Sequence, residues 1–526
     1  MDSPSRPGLA CPLGEVVIAI ETELKLVARG GDLPVLRRAL GKLGNGRKLA
    51  RAKLVSTYYE TDDRALARKG LSLRVRERDG RFVQTVKSIG AGDAGALARG
   101  EWEDVIAGAC PELDRPETGR FLKEGVIERL KPVFRTEVRR DLVELSPAPG
   151  TRIEAAIDRG EISAPDQKRS LAISEIELEL KSGEIGALYD VAQQLMAAAP
   201  LRVDQRSKAE RGFELATGRP KRVAAARAQP LRLDPGFSGG EAFESIGRYC
   251  LDLILRNEAA ALAGRPDGVH QMRVGIRRLR AALSAFREIL PDDQRRWASK
   301  ELRWLADTLG EARNLDVFKT ALVDPARRTI ADKRQLRGLA DAVHHRRRAA
   351  YSALGEAIRS TRYSALILRL FRWFDGREWQ EGGIAEELRR PIGEVAPAML
   401  DRCRRAVERR CKDFARQSPP QRHRLRIALK KLRYTAELFA GLYPSPAVAE
   451  FTQRLKHLQD DLGGANDVHI GETLVNELSQ GAAKDAGIVT LGRHVLEWHK
   501  RRLVKGEKKL RDGLRLLEEA PPFWRL

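Results

Sequence analysis

Aromatic residues are scarce in this sequence, and long apolar runs are missing from it. Phe, Trp and Tyr make up 6% of the 526 residues, and few of them lie among the basic residues. Proteins that bind single-stranded nucleic acid stack bases on aromatic rings, so this scarcity argues against a specific nucleic-acid partner. No run of about 18 apolar residues occurs, which argues against a transmembrane helix. The first 14 residues lack a basic region followed by an apolar core, so we expect no secretory signal.

Cysteine is sparse, and acidic residues are outnumbered by basic ones. The five cysteines are scattered without short metal-ligand spacing, which fits a reducing compartment and predicts a cytoplasmic protein. The 96 Lys and Arg residues exceed the 73 Asp and Glu residues, and the formal net charge is +23. Because 42% of the residues are hydrophobic, the chain can form real cores. The charge favours a polyanionic partner: a phosphate polymer, a nucleic acid or an anionic membrane surface.

The sequence divides into a β-rich part and a helical part. Residues 1–216 are rich in strand patterns, with helices expected at Leu33–Leu43 and Gly186–Ala198. Residues 217–240 have the Gly- and Pro-rich composition of a linker. Residues 241–526 form almost continuous amphipathic helix patterns. The candidate strands lie near residues 16–27, 54–60, 71–77, 81–88, 101–106, 134–145, 152–158 and 171–181.

Two candidate strands each have one apolar face and one charged face. The strand near residues 16–26 carries Glu21, Glu23 and Lys25 on its charged face. The strand near residue 175 repeats the pattern with three glutamates, and carboxylates at two-residue spacing repel each other unless a cation lies between them. Such oxygen ligands suit Mg²⁺ or Mn²⁺. The candidate metal ligands are Glu21, Glu23, Asp158, Glu175, Glu177 and Glu179. Which two of the last three would bind the metal is left open, because all three share one face.

Basic residues alternate along the same part of the chain. Arg74 and Arg76 share a strand face, and Lys87, Arg135 and Lys208 follow them. A barrel interior that mixes carboxylates with Arg and Lys is a poor core, but it suits a metal-bound polyphosphate. The apolar strand faces would then point outward, beneath helices.

These motifs, in this order, resemble the CYTH family of triphosphate tunnel metalloenzymes over about residues 15–215. The resemblance rests on Glu-x-Glu-x-Lys at 21–25, Arg-x-Arg at 74–76, Lys87 and the late acidic strand with Glu175 and Glu177. It implies an eight-stranded antiparallel β-barrel with a polar tunnel. It also implies metal-dependent hydrolysis of a triphosphate by water. The implied catalytic residues are Glu21, Glu23, Lys25 and Lys208. The implied substrate contacts are Lys25, Arg74, Arg76, Lys87, Arg135, Arg140 and Lys208.

The helical part contains an internal repeat. The segment beginning His270-Gln-Met-Arg273 returns 153 residues later as His423-Arg-Leu-Arg426, and apolar positions correspond throughout. In each copy a basic stripe flanks the apolar face, with almost no acidic residue four positions away. The stripes contain His270, Arg273, Arg277 and Arg280 in the first copy and His423, Arg426, Lys430 and Arg433 in the second. A polyanion bound along both stripes would offset the repulsion between like charges.

This repeated motif resembles the conserved histidine α-helical (CHAD) domain over about residues 237–520. The resemblance implies two pseudo-symmetric four-helix bundles and binding of inorganic polyphosphate. The expected fold class is therefore an α+β multidomain protein, with an N-terminal eight-stranded tunnel barrel followed by an all-α domain.

Three functions follow from these patterns. The leading hypothesis is a Mg²⁺- or Mn²⁺-dependent inorganic triphosphatase, which would convert tripolyphosphate to pyrophosphate and phosphate while its helical domain binds long-chain polyphosphate. A tunnel enzyme acting on ATP or thiamine triphosphate, of adenylate cyclase or thiamine triphosphatase type, is an alternative, and so is a non-catalytic polyphosphate-binding protein. We expect neither a membrane nor a specific nucleic acid as a partner.

Overall fold

The computed structural model describes residues 22–43, 47–88, 100–122, 124–164, 168–204, 206–217, 224–326, 333–380, 386–480, 486–504 and 507–525. The chain forms two compact units, residues 1–221 and 222–526, and each is described by itself.

A single antiparallel sheet of nine strands forms the framework of the first unit. The strands are β1 (Thr22–Ala28), β2 (Arg47–Glu60), β3 (Leu71–Arg78), β4 (Arg81–Ser88), β5 (Glu101–Ile106), β6 (Lys131–Leu145), β7 (Arg152–Ala164), β8 (Arg169–Ser182) and β9 (Leu201–Val203). Their spatial order is β5-β4-β3-β2-β6-β7-β8-β1-β9. Within the described residues, the edge strands β5 and β9 do not pair with each other, so the closed eight-stranded barrel stays a prediction.

The predicted strands match this sheet, with differences at their ends. Seven of the eight candidates fall on β2 to β8, and residues 22–27 of the first fall on β1. Residues 16–21 lie outside the described part of the chain. The strand β9 was not predicted from the sequence, because three residues are too few to show an alternating pattern.

Two longer helices cover the apolar face of the sheet, which we call the outer face. They are α1 (Leu33–Lys42) and α4 (Gly186–Ala198), and both match the expected helices closely. Between them, α2 (Ala65–Arg68) and α3 (Glu124–Ile127) are single turns. α1 packs against α4, β6 and β7, while α4 also packs against β8. The sheet residues Leu26, Ile176 and Leu178 are buried, and so are the residues of both helices that face the sheet. The sheet therefore has one apolar face and one charged face.

A fifth helix, α5 (Lys208–Ala216), packs against β6, β7 and β8. A capping box fixes its start, because Ser207 Oγ accepts from Glu210 N at 3.1 Å and the Glu210 carboxylate accepts from Ser207 N at 2.7 Å. Its Phe213 ring packs edge-on against Phe134, which is stacked on Tyr58 at 4.4 Å. This cluster fixes α5 against the charged face, which we call the inner face.

The second unit is helical and contains the repeat as matching helices. They are α6 (Gly239–Leu255), α7 (Glu258–Leu262), α8 (Pro266–Ala285), α9 (Asp292–Val317), α10 (Asp324–Ala326), α11 (Lys333–Ile358), α12 (Thr361–Asp375), α13 (Glu386–Arg389), α14 (Ile392–Cys411), α15 (Pro419–Leu438), α16 (Ser445–Gln480), α17 (Ala486–Val504) and α18 (Glu507–Glu519). Helices α6, α8, α9 and α11 begin 153 residues before α14, α15, α16 and α17. Each copy thus supplies four long helices, and α8 packs against α15. That each set forms a four-helix bundle stays a prediction.

Most of the predicted linker packs on the helical unit. Asn257 Nδ2 donates to Ala226 O at 3.0 Å, and Tyr249 Oη donates to Gln229 O at 2.6 Å. Leu233 is buried. Residues 218–223 lie outside the described part. Among the described residues, we find no helix with the length and apolar character needed to span a membrane.

The close approach of α5 to the sheet predicts a stability difference between two glycines. A Cβ atom at Gly212 in α5 would lie 2.0 Å from Cε2 of Phe134, whereas one at Gly41 in α1 meets no described heavy atom within 4 Å. We expect Gly212→Ala to lower the free energy of unfolding by about 1–3 kcal/mol through overpacking. Gly41→Ala should leave it unchanged or raise it by about 0.5–1 kcal/mol. Urea unfolding of both variants tests this; equal midpoints would contradict the packing described here.

Candidate functional site

The inner face of the sheet brings charged residues from several strands into register. On β1, Lys25 lies opposite Glu177 of β8, and Glu23 lies opposite Glu179. On the other side of β8, Asp158 of β7 lies opposite Glu175. Because side chains alternate along a strand, these residues all point to the same side. The sequence-predicted acidic residues on β1, β7 and β8 are thus brought together.

A cavity of about 500 Å³ opens on this face. Among the described residues, six cationic and six acidic side chains line it, so the formal charges of these twelve cancel. The cationic residues are Lys25, Arg74, Arg76, Lys87, Arg140 and Lys208, and the acidic residues are Glu23, Glu101, Glu103, Glu154, Glu177 and Glu179. Tyr58 is the one aromatic residue among those that line the cavity.

Lys208, the first residue of α5, binds the acidic side of the cavity. Its Nζ lies 2.8 Å from Asp158 Oδ2 and 2.8 Å from Glu177 Oε1, and it also contacts Glu175. Burial alone would lower the pKa of Lys208, but Asp158, Glu177 and Glu175 raise it above its usual value. In return, Lys208, Lys25 and Arg140 hold the pKa of Glu177 well below its usual value despite burial. Both partners are therefore charged at neutral pH.

Arg140 lies between the acidic side and the cationic side. Its Nε and Nη2 donate to the two oxygens of Asp158 at 2.8 and 2.7 Å, and it also contacts Glu177. This bidentate pair fixes the guanidinium plane. Burial opposes its charge, but Glu177 and Asp158 raise the pKa of Arg140 further above its usual value. The orientation of Arg140 is thus set before any ligand binds.

The cationic side is formed by β3 and β4 and is only partly neutralised. Arg74 Nη2 lies 3.1 Å from Glu101 and 3.4 Å from Glu103, and Lys87 also pairs with Glu101. Arg76 has a weaker contact, donating from Nε to Ser56 Oγ at 3.3 Å. Burial, with the charges of Arg74 and Arg140, lowers the pKa of Arg76 to about 10. A half-buried guanidinium among other cations is electrostatically suited to an anion.

The acidic residues have the chemistry and spacing of a divalent-metal site. Carboxylate oxygens of Asp158, Glu175 and Glu177 lie within 4.8 Å of one another. Glu23 Oε1 is buried and accepts no hydrogen bond within the described part. Burial and the nearby Glu177 raise the pKa of Glu23. Oxygen ligands of this kind fit Mg²⁺ or Mn²⁺.

One predicted site residue lies on the other face of the sheet, one is outside the described residues, and others were missed. Glu21 lies outside the described residues. Arg135 lies on β6 at an odd position, five residues from Arg140, so it points to the outer face, where it is exposed and pairs with Glu137 at 3.1 Å. It therefore does not join the substrate contacts predicted around Arg140. The sequence reading missed Tyr58, Glu101, Glu103, Glu154 and Arg211. The Glu-x-Glu pattern at residues 101–103 could have indicated Glu101 and Glu103 as site residues.

In the helical unit, the two basic stripes face each other where α8 packs against α15. All predicted stripe residues except the exposed His423 are half-buried. Burial, followed by the charges of Arg277, Arg426 and Arg273, lowers the pKa of Lys430 to about 6. The Nε atoms of Arg273, Arg426 and Arg433 are buried without a hydrogen-bond partner among the described residues. We call this surface the basic seam; it contains His270, Arg273, Arg277, Arg280, Arg426, Lys430 and Arg433.

The seam also involves residues outside the predicted stripes. Burial, then Arg313 and Arg277, lowers the pKa of His270 to about 4, which leaves the imidazole neutral. Asp467 of α16 is the main opposing charge near Arg426. Arg313 and Asp467 lie in a second pair of matching segments of the repeat, residues 309–316 and 462–467.

Comparison with known proteins identifies both units. A CYTH domain model matches residues 19–213, and a CHAD domain model matches residues 245–476. An inorganic triphosphatase from Haemophilus influenzae is 32% identical over 165 residues, which is 31% of this chain and 46% of that one. An uncharacterised protein of Mycobacterium tuberculosis is 27% identical over 283 residues, or 51% of this chain and 52% of the relative. The chain spans about half the length of these curated relatives.

A solved structure supports the assignment of the helical unit. The crystal structure of the CHAD domain from the plant Ricinus communis is 30% identical, with a TM-score of 0.50, and the match covers 57% of this chain and 99% of that one. The fold therefore defines a protein of two units, an antiparallel sheet with a charged inner face followed by a helical domain. The chain belongs to the proteins that join a CYTH domain to a CHAD domain.

The position of Lys208 predicts how its loss changes stability. Lys208→Ala leaves a cluster of buried carboxylates with less compensation, so we expect the free energy of unfolding to fall by about 3–5 kcal/mol. Mn²⁺ should then stabilise the variant more than the wild type, because the carboxylates lose a competing cation. Lys131→Ala is the matched control: its pair with Asp62 at 2.6 Å is exposed, so the change should be about 0–1 kcal/mol. Urea unfolding, followed by hydrogen exchange in β7 and β8, measures both. An unchanged midpoint for Lys208→Ala would contradict its described role.

Proposed function

We propose that the first unit is a metal-dependent inorganic triphosphatase that converts tripolyphosphate to pyrophosphate and phosphate. The observation that carries this proposal is that the described residues place equal numbers of cationic and acidic side chains around one cavity. A cavity with no formal excess charge cannot by itself neutralise a triphosphate, which carries several negative charges. Divalent cations held by the carboxylates would supply the missing charge and leave the Arg and Lys residues free for phosphate oxygens.

The cationic residues suit the positioning of a phosphate chain. Arg74, Arg76 and Arg140 present guanidinium groups, which bind phosphate oxygens bidentately. Asp158 already holds Arg140 in place, so its side chain loses little freedom when substrate binds. Lys208 stays charged and can stabilise negative charge on the terminal phosphoryl group.

The acidic residues suit metal binding and proton transfer. Glu177 and Glu179 line the cavity and would hold Mg²⁺ or Mn²⁺, which would neutralise phosphate charge and make a bound water more acidic. The oxygen of an attacking water forms a bond to the terminal phosphorus, and the bond from that phosphorus to the bridging oxygen breaks. Glu23, whose pKa is raised by burial and by the nearby Glu177, accepts the proton of the water. Pyrophosphate leaves with the bridging oxygen.

The lining of the cavity favours an inorganic substrate over a nucleotide or thiamine triphosphate. Apart from Tyr58, the residues that line the cavity offer no aromatic ring for a base or thiazole to stack on. The Tyr58 ring is itself buried against Phe134. The inorganic triphosphatase among the relatives supports the same choice.

We further propose that the basic seam of the helical unit binds long-chain polyphosphate. Its half-buried cations repel one another in the absence of a ligand, which the lowered pKa values of Lys430 and Arg273 reflect. The buried Nε donors of Arg273 and Arg426 have no hydrogen-bond partner among the described residues. A polyanion would supply both the missing charge and the missing acceptors.

A matched pair of arginines on one strand tests the triphosphatase proposal. Arg140→Ala removes an inner-face cation, and we expect it to lower kcat/KM for tripolyphosphate with Mg²⁺ or Mn²⁺ by about 100-fold or more. Arg135→Ala removes an outer-face cation from the same strand and should leave kcat/KM within about twofold of the wild type. Phosphate release from tripolyphosphate, ATP and thiamine triphosphate is the measurement. If the wild type releases phosphate from none of them with either metal, the proposal fails and a binding function remains.

The lowered pKa of Lys430 predicts proton uptake when polyphosphate binds. In the free protein at pH 7, Lys430 is mostly neutral because its pKa is about 6. A bound polyanion stabilises the charged form, so binding at pH 7 should take up close to one proton at Lys430. Calorimetry in buffers of different ionisation enthalpy measures this number. Lys430→Arg, which copies Arg277 at the matching position of the first repeat, should bind without the uptake. Equal uptake in both proteins would contradict the assignment.

A further inference from the structure

The outer face of the sheet carries a second cavity, separate from the one on the inner face. Its volume is about 550 Å³, and it lies where β2, β6 and β7 meet the start of α1. Of the described residues, five cationic ones and one acidic one line it, in contrast to the balanced charges described for the inner cavity. They are Arg37, Arg51, Lys53, Arg139, Arg159 and Asp141.

Three of these cations form a row across neighbouring strands. Lys53 lies directly opposite Arg139, and Arg139 lies directly opposite Arg159. Like charges directly opposite each other destabilise a sheet. Lys53 has a distant ion pair with Glu137, at 3.7 Å. Arg139 and Arg159 are exposed, and neither forms an ion pair or hydrogen bond within the described residues. The row thus carries an excess of positive charge that the described residues compensate only at Lys53.

The remaining two cations are held in place by one buried carboxylate. Arg51 Nε donates to Asp141 Oδ1 at 2.6 Å, and Arg37 contacts the other oxygen of the same carboxylate. Asp141 is buried, whereas more than half of the side-chain area of each arginine is exposed. One negative charge therefore orients two guanidinium groups at the edge of the cavity and leaves them a net positive charge.

We propose that this outer cavity binds a short inorganic oligophosphate chain. The row of Lys53, Arg139 and Arg159 crosses three strands and so spans about 10 Å, with a cation at each strand. Arginine binds phosphate oxygens bidentately, and a linear phosphate chain offers oxygens along its whole length. The residues that line the cavity include no aromatic ring, so a nucleic acid would have nothing on which to stack its bases. An inorganic chain therefore fits better than a nucleic acid.

Arginine footprinting on the full chain tests this site directly. Phenylglyoxal modification is followed by mass spectrometry in EDTA, with and without inorganic tripolyphosphate. We expect tripolyphosphate to slow the modification of Arg139 and Arg159 at least threefold. The triple variant K53A/R139A/R159A should bind one tripolyphosphate fewer than the wild type, or bind tripolyphosphate at this site about tenfold more weakly. A tenfold loss corresponds to about 1.4 kcal/mol. The control K69A/R81A/R152A removes three exposed cations elsewhere on the same unit and should bind as the wild type does.

The outcomes separate this site from the inner one and from a general attraction of anions. The triple variant should keep the wild-type rate of tripolyphosphate hydrolysis, because none of its changes touches the inner cavity. The proposal of an outer site is therefore independent of the triphosphatase proposal, and either can fail without the other. Unprotected Arg139 and Arg159 would overturn the proposal. So would equal protection by single-stranded DNA at the same phosphate concentration, or equal loss of binding in the control.

Discussion

The contact between the Lys208 ammonium group and the carboxylates of Asp158, Glu175 and Glu177 determines the interior of the first unit. Charges of one sign cannot be gathered on a buried sheet face unless the opposite sign reaches them. Here the opposite sign comes from a helix that follows the sheet in sequence, because α5 carries Lys208 and Arg211 onto β7 and β8. Phe213 and Gly212 allow that helix to approach Phe134 closely. The apolar packing of α5 and the charge pattern of the cavity therefore depend on each other.

The helical unit also brings like charges together, but with fewer carboxylate partners. On the inner face of the sheet, nearly every cation has a carboxylate partner, and a ligand must compete with these pairs. On the basic seam, the cations lower one another's pKa, and few carboxylates are near them. The first arrangement suits a site that needs a metal ion before it accepts a phosphate chain. The second suits a surface that binds a long anion directly.

Much of this architecture could be predicted from local sequence patterns. Strand alternation identified β3, β4 and β5 almost residue for residue, because each has two faces of different polarity. The repeat of 153 residues predicted matching helices, and α8 and α15 begin and end at matching positions. The face of the sheet to which each side chain of a long strand points was harder to predict from the sequence. Arg135 and Arg140 are both basic residues of β6, and only the register shows that one faces outward and the other inward. Contacts between distant elements, such as Arg74 with Glu101 and Arg37 with Asp141, leave no local pattern at all.

Water attack on the terminal phosphorus within a metal-dependent inner cavity is the central claim of this account. Hydrolysis of inorganic tripolyphosphate in ¹⁸O-labelled water, with and without Mn²⁺, tests it most directly. The account predicts that Mn²⁺ is required, that the released orthophosphate carries the label and that pyrophosphate does not. Label in pyrophosphate, release of phosphate in EDTA at the same rate, or no release with Mn²⁺ or Mg²⁺ would contradict it.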